Sequence, residues 1–220
     1  MFFRARLAKT REVMFVSHLD YMRTLERAVR RAHIPVRLTE GFNVHPRISY
    51  GPPLSLGITS EAEYIDMEME KEITLSSFIR DLNSALPRGF AVLEAKKYGR
   101  KPAPVMSVAN REDYTLVITS RGSTDHIVDE VGRLLERERI VVLRMSPKGN
   151  KFVDIRPFLE TVDIMEKAAQ GIKVFMRTVT GPNGAFRPKD LSFIWPDFLM
   201  QAQHRRALWI YGENRLSEPW

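Results

Sequence analysis

Apolar and polar residues alternate, or recur at helical spacing, in several segments of the first hundred residues. Alternation is typical of half-buried strands, and apolar residues three and four positions apart are typical of amphipathic helices. The strand-like segments lie at 2–9, 36–39, 62–70 and 90–97. The helical spacing predicts helices at 17–33 and 74–86, so the predicted order is β-α-β-β-α-β.

The first predicted strand and helix each have an inward and an outward side. Because successive side chains of a strand point to opposite faces, the apolar residues Phe3, Ala5 and Leu7 share the predicted core face. Phe2, Arg4 and Arg6 then share the opposite face. Ser17 is expected to cap the helix, whose predicted apolar stripe consists of Leu19, Met22, Leu25, Val29 and Ala32.

The second half repeats this pattern in part, after a segment at 101–111 that its prolines and small residues predict to be a linker. Further strands are predicted at 114–120, 140–146, 172–179 and 207–212, and helices at 124–138 and 187–195. Gly149 and Asn150 predict a hairpin turn. The chain is therefore predicted to be an α+β protein of two tandem ferredoxin-like (βαββαβ) sandwiches, with domains at 1–100 and 112–220.

The composition of the 220 residues excludes several classes of site. Cysteine is absent, so this chain forms no disulfide, no thiolate zinc site and no iron–sulfur cluster held by cysteine. No run of about 18 apolar residues is present, and the first residues lack the apolar core of a signal peptide. We therefore expect a cytoplasmic protein that does not associate with a membrane.

Positive charge is concentrated at the start of the chain. The formal net charge is +7, and residues 1–50 contain ten Lys or Arg against four Asp or Glu. Nine of those ten basic residues are arginines, whose planar guanidinium groups bind phosphate in a bidentate manner. This distribution favours an anionic partner, and RNA is the partner that we expect.

The residues predicted to bind nucleic acid come from four places. Arginines on the first helix repel one another, and phosphate would relieve that repulsion. Aromatic and guanidinium groups suit base stacking and phosphate contact, and the chain has them in three further places. These are an open sheet face, the loop after the helix, and the surroundings of a glycine-rich turn at 181–184. The alternative for the sheet face is that the second half buries it. The predicted residues are Phe2, Arg4, Arg6, Arg23, Arg27, Arg30, Arg31, Phe42, Asn43, Arg47 and Arg187.

The segment LTEGFNVHPRISYGP, at 38–52, contains glycines and prolines that give a loop unusual and rigid backbone conformations. Glu40 and His45 of this loop, with His18 on the helix, are the candidates for acid–base chemistry. A hydrolytic triad within the helix start is excluded, because His18 and Asp20 point about 200° apart. The spacing of the two histidines and Glu40 matches no metal signature, so neither a metal nor a cofactor is predicted.

A set of short motifs is similar to the bacterial radical-SAM-linked proteins, a domain of unknown function found alone or fused behind a radical SAM enzyme. The motifs are SHLD (17–20), ERAVRRA (26–32), EGFNVHP (40–46), PPLSLG (52–57), SEAEY (60–64), DIRP (154–157) and RP (187–188). The resemblance implies a radical SAM enzyme as a partner. Because such enzymes hold their cluster with three cysteines, this chain would be the accessory component and not the catalytic subunit.

Tandem ferredoxin-like halves with a basic face also resemble RNA-processing proteins, such as CRISPR repeat-associated endoribonucleases and pseudouridine synthases, at the level of the fold. The favoured hypothesis is an accessory protein that binds structured RNA and presents it to a separate enzyme. One alternative is a metal-independent RNA-cleaving or RNA-modifying enzyme that uses His18 or His45. Another alternative is a protein–protein adaptor whose basic helix docks on an acidic partner.

Overall fold

The computed structural model describes residues 1–120, 123–146, 149–168, 171–181 and 184–220. The chain divides into two compact units, of which the first is Met1–Ala109 with Ser217–Trp220 and the second is Asn110–Leu216. Strands predominate and helices are few, which confirms the predicted α+β class. None of the helices in the described ranges is long and apolar enough to cross a membrane.

The first unit has a four-stranded antiparallel sheet with two main helices on one face. Its elements are β1 (Phe2–Lys9), α1 (His18–Arg31), β2 (Ile48–Tyr50), β3 (Thr59–Glu68), α2 (Leu75–Ala85), β4 (Phe90–Tyr98) and α3 (Val105–Val108). The strands lie side by side in the order β4–β1–β3–β2. The core lies between this sheet and the helices α1 and α2, as the packing of Phe3, Leu25 and Phe78 shows.

Helix α1 buries a stripe that differs from the predicted one at its start. Ser17 caps the helix as predicted, since its hydroxyl accepts a hydrogen bond from the Asp20 backbone N–H at 3.1 Å. Tyr21, Leu25 and Ala28 are buried, at the i, i+4 and i+7 positions of one face. Leu19 was expected in this stripe, but it lies about 200° from Tyr21 on the helix and is 55% exposed.

The strand predicted at 36–39 is absent from the first unit. Val36 and Leu38 form only isolated bridges, to Met69 and Pro46 respectively. The second strand is β2 instead, which pairs with β3 within the stretch that was predicted to be loop. Three residues are too few to display an alternating pattern, so β2 has no periodic signal in the sequence.

The segment predicted to be a linker, 101–111, is mostly part of the first unit. It contains the helix α3, whose Val105 is buried and lies against Gly51. Ala109 is buried as well, and the boundary between the units falls after it. The prolines at 102 and 104 therefore belong to a packed segment rather than a flexible connection, because Val105 and Ala109 after them are buried, whereas Met106 between these two is exposed.

The second unit also has a four-stranded antiparallel sheet, in the order β10–β5–β9–β8. The second unit also contains a separate two-stranded antiparallel sheet, β6–β7. These two strands are the ones that the predicted hairpin near Gly149 would join. The elements are β5 (Arg111–Ser120), α4 (Thr124–Gly132), β6 (Val141–Arg144), β7 (Lys151–Asp154), β8 (Leu159–Ala168), β9 (Gly171–Val179), α5 (Leu191–Ile194), β10 (Phe198–Gly212) and β11 (Arg215–Ser217).

Two predictions for the second unit were incomplete. The strand β8 was not predicted, because half of its residues are polar and only Leu159 is buried. The strand predicted at 207–212 begins much earlier, since β10 contains 15 residues. It turns into β11 through Glu213 and Asn214, which both have positive φ, as the tightest two-residue hairpins require.

Candidate nucleic-acid interface

Three arginines of α1 form an exposed row. Arg23, Arg27 and Arg30 lie within about 60° of one another around the helix. Arg23 forms a long ion pair with Asp20, at 3.4 Å. Within the described part of the chain, the side chain of Arg27 makes no ion pair or hydrogen bond. The row therefore offers guanidinium groups that are only partly neutralised.

Arg31 has a different position from the other helix arginines. Its guanidinium donates a hydrogen bond to the backbone carbonyl of Ala85, the last residue of α2. A helix end has carbonyl groups without partners inside the helix, and a cation stabilises them. Arg31 thus connects the two helices, and we do not count it among the residues that face a ligand.

The loop at 38–47 is closed at its base and exposed at its tip. The base is held by a backbone hydrogen bond from Thr39 to His45, at 2.9 Å, and by the Thr39 hydroxyl, which accepts from the His45 backbone N–H at 3.1 Å. At the tip, Gly41 has a φ of +105°, which L side chains rarely adopt. Phe42 is fully exposed and Asn43 beside it is exposed as well.

Helix α1 and this loop meet through Arg30. Its guanidinium donates to the backbone carbonyl of Val44 at 3.2 Å. The arginine row and the loop tip therefore belong to one continuous surface. We call Arg23, Arg27, Arg30 and the loop 38–47 together the α1–loop surface.

Two further arginines flank the loop and share one acid. Arg37 and Arg47 each donate to Glu68 of β3, at 2.9 and 3.1 Å. Burial alone would raise the pKa of Glu68, but the hydrogen bonds and charges of Arg37 and Arg47 outweigh it and lower the pKa below its ordinary value. Glu40 lies 3.5 Å from Arg47 and adds a weaker, exposed pair.

An open cleft with a volume of about 370 Å³ lies beside the loop, on the sheet face that is opposite the core. It brings together Phe2, His45 and Arg47, which the sequence analysis proposed separately. It also includes Lys101, which that analysis overlooked. The lining residues are Phe2, Thr39, His45, Pro46, Arg47, Ile48, Ser49, Asp66, Glu68, Lys101 and Pro102.

Arg4 does not lie on an open face, contrary to the prediction. It is 2% exposed, and its guanidinium forms a bidentate pair with Asp66, at 2.5 and 2.8 Å. The same group donates to the backbone carbonyls of Pro219 and Ala103. Since its donors face protein acceptors on several sides, Arg4 stabilises the fold of the first unit.

Arg6 is also engaged in the fold. It is half-buried, and it forms a 3.4 Å pair with Glu94 and a 3.3 Å hydrogen bond to the carbonyl of Glu61. Near it, Trp220 packs edge-on against Tyr64, with ring centres 5.3 Å apart. The sheet face that was predicted to be open is therefore partly covered, by residues 102–109 and 217–220 of the first unit.

The three candidates for acid–base chemistry do not converge. Across the described ranges, no group of three His, Asp, Glu or Cys side chains is placed to hold a metal ion. The His18 ring contacts the rings of Tyr21 and Tyr50, at 6.3 and 6.0 Å between centres. His45 instead lines the cleft, so it is the one candidate that an incoming ligand would meet there.

The motifs of the second unit have structural roles where the structure describes them. Asp154 accepts from the backbone N–H groups of Ile140 and Arg156, and Arg156 donates to three backbone carbonyls. Buried Asp190 pairs with Arg144. Arg187 is exposed in this unit, and the prediction that the turn before it cradles phosphate falls partly on Pro182 and Asn183, outside the described residues.

Sequence reasoning missed Arg37, Ser49 and Lys101. Arg37 could have been found from the sequence, because Arg37 and Arg47 stand at the two ends of the loop. Ser49 lies on β2, which the sequence did not predict, and Lys101 lies in the segment that was interpreted as a linker. No local pattern links these two residues to the loop.

A family model identifies the family to which the chain belongs. The family model DUF2344, described as an uncharacterized protein conserved in bacteria, matches residues 3–188. The chain belongs to this family. Among curated proteins, none matches the chain in sequence. Membership shows a bacterial family, and it says nothing of radical SAM enzymes.

Solved structures with a similar fold include chains from two multi-component assemblies. A chain in the crystal structure of a Cbf5-Nop10-Gar1 complex has a TM-score of 0.55 and 9% identity, over 94% of this chain and 48% of that one. A chain in an H/ACA RNP bound to a substrate RNA containing 2′-deoxyuridine has a TM-score of 0.51 and 9% identity, over 92% of this chain and 46% of that one. The chain spans about half the length of these proteins, and the likeness concerns the fold alone.

Proposed function

We propose that this DUF2344 protein binds structured RNA through the α1–loop surface. The observation that carries the proposal is the contact between Arg30 and the Val44 carbonyl, which joins a row of arginines to an exposed aromatic tip. The guanidinium groups of Arg23 and Arg27 suit the phosphate backbone. The Phe42 ring suits an unpaired base, because every base has a face on which an aromatic ring can stack.

The similarity of the fold to these structures supports the RNA-binding proposal, but it is not sufficient evidence for it. One of the two similar structures reported above is an H/ACA RNP bound to a substrate RNA, although the identity of 9% limits the inference to the fold. We also propose that each unit is a ferredoxin-like sandwich. The support is that β4–β1–β3–β2 and β10–β5–β9–β8 correspond strand by strand when the inserted β6–β7 sheet is set aside.

We further propose that the bound RNA is presented to a separate enzyme in the cytoplasm. The similarity of the motifs to radical-SAM-linked proteins supports a radical SAM enzyme as that partner. The lack of cysteine supports an accessory role, because this chain has no thiolate with which to hold a cluster.

The experiment is a salt series of binding to a pool of cellular RNA. The wild type is compared with Arg23→Gln/Arg27→Gln, which removes two exposed charges from α1. The logarithm of affinity is expected to fall steeply with the logarithm of salt concentration, and the variant should lose on the order of 1–2 units of that slope. The control is Arg133→Gln/Arg206→Gln, which removes two exposed charges from the second unit.

Three results would decide against the proposal in different ways. Weak binding without salt dependence would remove RNA as the ligand and favour a protein–protein adaptor. Equal loss of slope in both double variants would mean that net charge matters and the α1–loop surface does not. RNA turnover by the purified chain, abolished by His45→Ala with unchanged affinity, would favour the enzymatic alternative.

A further inference from the structure

The cleft beside the α1–loop surface has the size of a small-ligand site. Its volume of about 370 Å³ lies at the lower end of the range for such sites, roughly 300–1,000 Å³. One wall is the β1 end of the sheet, with Phe2, and another is the loop base, with His45 and Pro46. Lys101 and Pro102, just after β4, contribute as well. The cleft therefore lies within the first unit.

The cleft combines an aromatic ring with polar groups. Phe2 is half-buried on the face opposite the core, in register with Glu68, and its ring is not part of the hydrophobic core cluster. Pro46 and Pro102 supply further apolar surface. Ser49 lies opposite Asp66 on the neighbouring strand and has its hydroxyl on the same face. A flat ligand with polar edges suits such a lining.

The charges of the cleft favour an anion of low charge. Both oxygens of Asp66 accept from Arg4, and the oxygens of Glu68 accept from Arg37 and Arg47, so the two acids are neutralised. Among the described residues, the side chains of Lys101 and His45 have no ion-pair or hydrogen-bond partner. One cation without a partner suits one phosphate group.

We infer that the cleft binds one unpaired nucleotide of the RNA, with its base against Phe2 and its phosphate beside Lys101. The inference rests on the proposed function and deepens it, because it separates two kinds of contact. The arginine row contacts successive phosphates without regard to sequence, whereas a cleft that contacts the base itself can distinguish one base from another. The cleft would therefore give the protein its selectivity for RNAs with an unpaired nucleotide at the correct distance.

The test uses the whole chain and measures amide chemical shifts in NMR titrations. The probes are the four nucleoside 5′-monophosphates, the corresponding nucleosides and inorganic phosphate. Saturable shifts are expected at Ile48, Ser49 and Lys101 with at least one nucleotide. Binding of that nucleotide should be several-fold tighter than binding of its nucleoside, and phosphate alone should bind more weakly than either.

Two variants separate the base contact from the phosphate contact. Phe2→Leu keeps apolar volume but removes the ring, and it should weaken nucleotide and nucleoside alike by about fivefold or more. Lys101→Gln should reduce the affinity for the nucleotide to that for its nucleoside, and leave the nucleoside unaffected. Arg133→Gln/Arg206→Gln is the control, because both exposed residues belong to the second unit and neither lines the cleft, so it should not change binding of either probe.

The results distinguish failure of this inference from failure of the proposed function. If no nucleotide shifts the cleft residues while salt-dependent RNA binding persists, the inference is wrong and the RNA-binding proposal stands. If RNA binding is also absent, both are wrong. Nucleotide binding that neither Phe2→Leu nor Lys101→Gln alters would place the ligand elsewhere and overturn the inference.

Discussion

Arginines in this chain have two distinct uses, and the residue type alone does not separate them. Arg4 and Arg156 direct their guanidinium groups at several carbonyl or carboxylate oxygens of the protein. Arg27 has no such acceptors among the residues that the structure describes, and it projects from α1. A guanidinium group has five donors, so one residue can join several segments when acceptors surround it. Whether an arginine holds the fold together or faces solvent depends on the protein oxygens around its guanidinium group, and its position in the sequence does not show this.

The Arg4–Asp66 pair gives the first prediction at this scale. Arg4→Met should lower the free energy of unfolding by about 3–5 kcal/mol, because it leaves the buried Asp66 carboxylate without its partner. Chemical denaturation measures the loss. Arg4→Met/Asp66→Leu should lose less than the single variant, since a buried apolar pair replaces an uncompensated charge.

The RNA affinity of the folded Arg4→Met/Asp66→Leu protein provides a separate criterion. Because Arg4 is enclosed by the fold and this double variant leaves no uncompensated Asp66 carboxylate in the cleft, that affinity and its salt dependence should equal those of the wild type under conditions where the variant is folded. A loss of one unit of salt slope in the folded variant would restore Arg4 as a phosphate contact and contradict the assignment made here.

The same residues show what a sequence reveals at this scale. The cap at Ser17 was predictable because its partner, the Asp20 N–H, is three residues away. The acceptors of Arg4 are 62, 99 and 215 positions away in the chain. An outward-facing arginine on β1 is compatible with a ligand contact or a buried pair, and only the tertiary structure selects between them.

At the scale of elements, the loop 38–47 is the feature on which the proposed function depends most. Its base is ordered by Thr39 and its neighbours, and its tip presents Phe42 to solvent. An aromatic ring that is fully exposed contributes little to folding and is available to stack on a ligand. The Gly41 backbone allows the sharp change of direction that brings Phe42 to the tip.

Phe42→Ala should therefore reduce RNA affinity and leave stability unchanged. The expected loss is about 5- to 150-fold if the ring stacks on one base. The free energy of unfolding should change by less than about 0.5 kcal/mol. Competition binding with a labelled RNA measures the first quantity, and urea denaturation measures the second.

Phe152→Ala is the matched control for this loop. Phe152 is also exposed, by 72%, but it lies on β7 in the second unit. It should not change RNA affinity. Similar losses for both phenylalanine variants would indicate general apolar contact with RNA, and the loop 38–47 would have no special role.

The elements that the sequence predicted correctly are those with a clear period or a strong local signal. Helices α1 and α2, and the strands β1 and β3, have regular apolar positions and were located within a few residues. The strand β2 is too short to show a period, and β8 is mostly exposed. Both are held by hydrogen bonds to a neighbouring strand, which a single-sequence pattern does not contain.

At the scale of the whole molecule, the chain does not divide at one point along the sequence. Ser217–Trp220 belongs to the first unit although more than a hundred residues of the second unit precede it. The Pro219 carbonyl accepts from Arg4, and Trp220 packs against Tyr64. The sequence predicted a domain at 112–220, because four residues at the end of a segment carry no periodic signal that would assign them to the first unit.

Trp220, the last of these four residues, contacts two side chains of the first unit. The Nζ atom of Lys96 lies 4.4 Å from the centre of the Trp220 ring, and the Tyr64 ring meets it edge-on. Trp220→Ala removes both contacts and should lower the stability of the first unit by about 1–3 kcal/mol. Hydrogen exchange should then show faster exchange in β1, β3 and β4, with unchanged protection of β5 and β9.

Tyr211→Ala provides the reciprocal control for Trp220→Ala. The Tyr211 ring lies 4.7 Å from the Arg111 guanidinium within the second unit, so its removal should speed exchange in β5 and β10 and leave β1 protected. Equal effects of both variants on both units would mean that stability is shared across the whole chain. In that case Ser217–Trp220 would not be a component of the first unit alone, and the division made here would be wrong.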